Sequence, residues 1–282
     1  MMLLCVAIFS AMDTILKVLS ADYPPFQVAA LRGASSLPWL LAWALATTGL
    51  APLLRVRWSL HLLRGLLGIM MMASFVYALR TLPLSTAYTI FFVAPLLITA
   101  LSVPFLGERV GPRRWTAITI GFLGVLVVLH PGGEGVLTAA GFAVLLAALA
   151  YAVSAITVRI LARTDSTQAM VVWLMLLMAV GGGLLAWPGW VPVRAEHGWL
   201  ILGLGIAGAL GQYLITEAFR LGEASLLAPL EYTALLWGVM WDATLWGVLP
   251  DGVTWIGAGI IVISGLYLLR REGARAQAPT PP

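Results

Sequence analysis

Apolar residues fill long, nearly unbroken runs of the chain, and polar residues gather in short breaks between them. A hydrocarbon layer about 30 Å thick takes roughly 20 apolar residues of helix. Marked at that length, the runs predict ten spans at 2–20, 25–48, 59–80, 84–106, 114–130, 136–160, 167–187, 198–220, 224–248 and 253–271. The breaks carry turn-forming residues: Tyr23-Pro24-Pro25, Gly49 to Pro52, Pro83, Gly107 to Pro112, Pro131-Gly132-Gly133, Pro188 to Pro192 and Pro250-Asp251-Gly252. No run alternates apolar with polar residues as the strands of a lipid-facing barrel do, so the pattern predicts an all-α integral membrane protein. The first run opens at Met1 without a basic leader or a small-residue cleavage site, and is expected to remain as a helix. Residues 272–282 are polar and proline-rich, and a disordered tail is expected there.

Composition sharpens this picture. Of 282 residues 61% are hydrophobic and 10% charged, against about 25% charged in soluble domains. A mean hydropathy of +0.98 leaves too few polar side chains to cover a water-exposed surface. The isoelectric point near 9.6 would suit a nucleic-acid partner, but the basic residues sit in short loops between apolar runs and form no binding stripe. With the N-terminus inside, Arg55, Arg57, Arg64, Arg109, Arg113, Arg114, Arg159, Arg163, Arg220, Arg270, Arg271 and Arg275 fall on the cytoplasmic side. Lys17, Arg80 and Arg194 fall outside and Arg32 lies within a span, so both termini are expected in the cytoplasm. Trp58, Trp115, Trp187, Trp190, Trp199, Trp246 and Trp255 stand near span ends, as an interfacial belt requires. Cys5 is the one cysteine, which excludes a disulfide framework and a cysteine metal site.

The chain also repeats itself. At an offset of 140 residues Gly65 matches Gly205, Gly68 matches Gly208, Ala78 matches Ala218 and Arg80 matches Arg220. The register continues through Ser85 and Ser225, Ala94 and Ala234, Gly107 and Gly247, and Trp115 and Trp255. It superimposes spans three, four and five on eight, nine and ten. Five spans per half is an odd number, so the second half enters the bilayer from the opposite side. Inverted halves are typical of secondary transporters, with the substrate near the midplane.

The stretches Leu79-Arg80-Thr81-Leu82-Pro83-Leu84, Pro95-Leu96-Leu97, Leu106-Gly107-Glu108-Arg109 and Gly121-Phe122-Leu123-Gly124-Val125 resemble the EamA-type repeat of the drug/metabolite transporter superfamily. Ala218-Phe219-Arg220-Leu221-Gly222-Glu223-Ala224 resembles it again in the second half. The resemblance implies two five-helix repeats, 1–130 and 136–271, in a bacterial inner (plasma) membrane. It also implies small organic solutes as cargo, often moved outward, with amino-acid exporters and S-adenosylmethionine-type carriers among the similar members. One departure is that Glu108 corresponds to Val248 in the second half, so the halves are not equivalent there.

Charges within spans are costly and invite a functional reading. Asp13 and Lys17 stand four apart on the first span, and Arg32 lies at similar depth on the second, so a structural charge pair among the three is expected. Glu231 lies about seven residues into the ninth span, with Asp242 three turns further on the same side. Around it, Tyr232 and, through the repeat, Tyr88, Phe91 and Phe92 would line an aromatic site with one carboxylate, suited to an amphipathic cation or zwitterion. Tyr77, Gln212 and Tyr213 are further substrate-binding candidates, although aromatics at helical spacing also serve as packing. Pro95 and Pro229 remove backbone donors within spans four and nine, and either hinge or bend those helices.

His61, His130 and His197 are scattered, and no zinc-protease, nucleophile-elbow or phosphate-loop motif accompanies them. No filter-like loop suggests a channel. A secondary or facilitated carrier of small amphipathic metabolites leads the readings, with no cofactor or metal, a small-molecule substrate and the lipid bilayer as partners, and no nucleic acid. An exporter of aromatic and other apolar amino acids by alternating access is the first expectation. An uptake carrier for S-adenosylmethionine-like or other organic cations is the alternative, and an intramembrane enzyme or channel the lesser one. The oligomeric state stays open, a monomer included.

Overall fold

A computed structural model describes residues 1–107, 111–112, 115–116, 119–120, 123, 138–222, 227–260 and 262–263. The described residues are helical, without strands. In chain order the helices are α1 (Met2–Ser20), α2 (Pro25–Thr47), the short α3 (Ala51–Leu54), α4 (Trp58–Leu79), α5 (Leu84–Phe91), α6 (Val93–Leu106), α7 (Ala139–Leu161), α8 (Thr167–Ala186), α9 (Gly198–Leu221) and α10 (Ala234–Trp241). Among the described residues, seven stretches are long and apolar enough to cross a membrane, counting α5 with α6 as one. Twenty-three residues of helix, as in α2 and α7, reach about 34 Å, enough for the hydrocarbon layer. The tail 272–282 and most of the spans expected at 114–130 and 253–271 lie outside the described residues.

Local chemistry sets the helix ends. Pro24 and Pro25 open α2, where a missing amide does no harm. Thr138 accepts from the Gly141 amide at 3.3 Å to start α7, and Ser166 accepts from Ala169 at 3.2 Å to start α8. Gly107 closes α6 with φ 71° and Gly247 closes the ninth span with φ 64°, a left-handed conformation that glycine adopts without strain.

Two expected single helices are interrupted. Span four breaks at Phe92, between α5 and α6, because Pro95 has no amide to donate to the Phe91 carbonyl. Span nine is a composite: a 3-10 stretch Ala228–Thr233 containing Pro229, then α10, then a π turn Asp242–Trp246.

Helix α2 packs along α8, α4 lies against α7 and α8, and α9 lies against α1 and α2. The α2–α8 crossing is close because it is made of small residues. A Cβ on Gly33 would stand 2.5 Å from the Ala179 amide nitrogen.

At one end of the bundle Asp242, fully buried, ties three elements together. It accepts from the Leu84 amide at 3.0 Å, from the Ser85 amide and hydroxyl at 2.7 Å each, and from Lys17 Nζ at 3.3 Å. Lys17 also stacks over the Trp246 ring at 4.4 Å. At the other end Asp165 ties the α7–α8 turn to α4, accepting from His61 Nε2 at 2.8 Å and the Arg57 amide at 3.1 Å. Trp58, Trp115, Trp187, Trp190, Trp199 and Trp255 are exposed, as belt residues should be. Arg64 corrects the loop tally: it stands inside α4 and is 2% exposed, so it is no loop charge.

Candidate functional site

Between the helices lies a partly open cavity of about 150 Å³ lined from α1, α2, α4, α5, α7, α8, α9 and the Glu231–Ala234 segment. Its walls are mostly apolar, with aromatic and sulfur-containing side chains among them such as Phe9, Met72, Phe75, Phe91 and Phe92. Against this apolar lining stand two carboxylates and two guanidinium groups.

Glu231 accepts from the Tyr151 hydroxyl at 2.8 Å, and Asp13 accepts from the Tyr88 hydroxyl at 2.8 Å. Arg32 donates through Nη2 to Gln212 Oε1 at 3.3 Å. Arg64 donates to the Met170 carbonyl at 2.8 Å and to Thr216 Oγ1 at 3.3 Å. Asp13 and Tyr151 stand in the middle third of α1 and α7. Asp13 is thus a charge in the middle of a membrane-crossing helix, where it is costly unless it has a partner.

Of the residues anticipated from sequence, Glu231, Tyr88, Phe91, Phe92 and Gln212 line the cavity. Three do not. Tyr77 is 42% exposed on the outer face of α4, Tyr213 packs edge-on against Trp43 with ring centroids 4.9 Å apart, and Tyr232 is buried behind Phe92 at 5.0 Å. The physical reason for the first two is helix phase, since each is one or two positions from a cavity residue and points elsewhere. The expected charge pair is also redistributed. Lys17 reaches Asp242 instead of Asp13, while Asp13 and Arg32 both turn to the cavity. Pro95 lies just beyond the break at Phe92, and the side chain of Pro229 lies outside the described residues.

Sequence reasoning missed Tyr151, Arg64 and Thr216. Arg64 carried a readable signal, a charge within the apolar run 59–80. Tyr151 and Thr216 sit in apolar helices with no motif, and only their partners across the bundle mark them.

The sequence pattern of the EamA-like transporter family matches residues 1–130 and 138–270. The chain belongs to the EamA-like transporter family. It is 30% identical over 274 residues to a riboflavin transporter of Vibrio cholerae serotype O1, covering 95% of this chain and 91% of that one. It is 30% identical to the S-adenosylmethionine uptake transporter of Rickettsia conorii, covering 93% and 89%. It is 26% identical to the pseudopaline exporter of Pseudomonas aeruginosa, covering 94% and 93%. A solved crystal structure with 23% identity superimposes with a TM-score of 0.73 over 97% of this chain and 96% of that one, a likeness of fold. This EamA-like protein is thus a multi-pass membrane transporter of small metabolites.

Proposed function

We propose that the protein is a secondary or facilitated carrier that moves small amphipathic zwitterions by alternating access, with aromatic and other apolar amino acids exported as the leading cargo. The cavity carries this reading: it sets an aromatic wall beside both signs of charge, as an amino acid with an apolar side chain requires. Ten spans in two inverted halves, 1–130 and 136–271, supply the rocking elements. Two features support that arrangement. Gly107 and Gly247, equivalent in the repeat, share the left-handed conformation. Phe92 and Tyr232, also equivalent, meet edge to face beside the cavity as residues on either side of a pseudo-twofold axis would. The two described histidines suit a carrier better than an enzyme, since His61 is held by Asp165 and His197 by Tyr23 at opposite ends of the bundle. The arginine asymmetry supports a bacterial inner-membrane orientation with both termini in the cytoplasm.

A second reading is uptake of S-adenosylmethionine-like solutes, favoured by the Rickettsia relatives and by the carboxylates Asp13 and Glu231 on the cavity wall. Counterflow in proteoliposomes separates the two. Saturable exchange of labelled L-phenylalanine or L-tryptophan supports the first, and exchange confined to S-adenosylmethionine supports the second. Absence of flux for these and for riboflavin, in vesicles holding folded protein, would overturn the carrier reading.

A further inference from the structure

Arg32 and Arg64 are among the most deeply buried side chains of the protein, 1% and 2% exposed. Neither is ion-paired with a carboxylate among the described residues. Arg32 uses one nitrogen, on Gln212, and leaves Nε and Nη1 without a partner; Arg64 leaves Nε without one. Gln212 Nε2 donates in turn to Thr216 Oγ1 at 3.3 Å, and Thr216 also accepts from Arg64. The two guanidinium groups are therefore joined through one face of α9, and all four residues line the cavity. Gly208 on that helix lets α2 approach closely beside Arg32, since a Cβ there would fall 2.5 Å from Ser36 Oγ.

The two carboxylates of the cavity are differently placed. Asp13 and Glu231 each already hold a tyrosine hydroxyl at 2.8 Å. A buried donor without an acceptor is costly, and more so on a charged group. Each carboxylate thus already has a donor, whereas three nitrogens of the two arginines have no acceptor among the described residues. A solute carboxylate has two oxygens and about four lone-pair sites, and it matches the planar fork of a guanidinium. An organic cation lacking an anionic group would instead add positive charge beside two arginines.

We propose that Arg32 and Arg64 form a carboxylate subsite, with Gln212 and Thr216 holding the two guanidinium groups in place, so that the carried solutes bear a carboxylate. The inference rests on the carrier reading above and narrows its cargo. The solute carboxylate sits against the arginines, its ammonium faces Glu231, and its apolar body lies on Phe75 and Phe91. Arg32, with its guanidinium carbon 5.6 Å from the Phe9 ring centroid, holds a fixed orientation toward this region.

Matched ligands test the idea on the purified wild-type protein by calorimetry. The probes are L-phenylalanine, L-phenylalaninamide and 3-phenylpropionate, together with L-tryptophan, tryptamine and indole-3-propionate. Each carboxylate-bearing probe is expected to bind at least about tenfold more tightly than its amide or amine counterpart, the gap that a 1.4 kcal/mol difference makes. Arg32→Gln and Arg64→Gln should each erase that gap, and Arg32→Lys should keep part of it. Equal binding of amines and carboxylates, no binding by any probe, or an unchanged gap in folded variants would overturn the proposal. The wild-type comparison stands alone if a variant fails to fold. Carboxylates that bind with this preference but never cross proteoliposome membranes would support the subsite and sink the carrier reading instead.

Discussion

Glu231 lies on the cavity with one hydrogen bond, from Tyr151, and its neighbour in the repeat is the apolar Phe91. Symmetry thus offers no packing reason for a charge at this position. Glu231→Gln keeps the shape and still accepts from Tyr151, so folding should be preserved. If Glu231 holds a substrate ammonium, the variant should bind L-phenylalanine about tenfold more weakly, because a hydrogen bond to a charged group is worth roughly 1.5–3 kcal/mol. If it exchanges a proton during the cycle, binding stays and the pH dependence of transport between pH 5 and 8 disappears. Normal binding and wild-type transport across that range would leave Glu231 a structural residue. The sequence disclosed Glu231 because a carboxylate in an apolar run is rare. It did not disclose Tyr151, whose role comes wholly from facing Glu231 across the bundle. Tyr77 shows the opposite failure. Two residues from the cavity residue Phe75, it is rotated about 200° around α4 and faces outward.

At the level of elements, two carboxylates hold helix ends together, and each makes a prediction. Asp242 neutralises Lys17 and caps the first turn of α5 through Leu84 and Ser85, where an anion also suits the helix dipole. Asp242→Ala leaves those donors and the Lys17 charge unmet, and should lower stability by about 3 kcal/mol, the scale for breaking one side of a buried pair. A thermal melt in detergent reads it, and an unchanged melting temperature would show that the contacts contribute nothing net. Asp165 lies outside the spanning segments, in the α7–α8 turn. Burial pushes its carboxyl upward, but the hydrogen bonds from Thr164, His61 and the Arg57 amide outweigh that and hold it below the ordinary 3.8. The stability it contributes is therefore complete above about pH 3.8 and is lost as the pH falls through the depressed value. Asp165→Asn should melt lower than wild type at pH 6, by about 1–3 kcal/mol, and the two should converge at the acid end. A gap that persists unchanged at pH 3 would contradict this. The interruption of spans four and nine was half legible: the prolines were visible, but the π turn at Asp242–Trp246 was not, because no residue type demands one.

Among the described residues the molecule is a helical bundle, and seven membrane-length stretches match the expected 2–20, 25–48, 59–80, 84–106, 136–160, 167–187 and 198–220 within a few residues. Its orientation is a prediction of charge, with the 107–114 loop inside and the 188–197 loop outside. In a Cys5→Ala background, Gly111→Cys should resist an impermeant thiol reagent added to intact cells, and Glu196→Cys should react. Glu196 is 68% exposed on its side chain, so access there is unhindered. Reaction at position 111 from outside would reverse the assignment.

Composition and run length alone determined that this chain lives in a bilayer and is helical. The cost of unsatisfied backbone groups in hydrocarbon leaves helices as the one solution for long apolar runs without alternation. The same reasoning located the spans and singled out the charged residues within them, because a charge is costly at that depth wherever it points. Direction was what the tertiary structure decided. Asp13, Lys17 and Arg32 were marked by sequence, yet their partners turned out to be Tyr88, Asp242 and Gln212. Arg64, counted from sequence among the cytoplasmic charges, lines the cavity, and Tyr77 and Tyr213 face away from it. Those outcomes depend on which helices neighbour one another and on their rotation about their own axes. In nearly uniform apolar helices the hydrophobic pattern carries almost no phase, since lipid and protein interior are equally apolar surroundings.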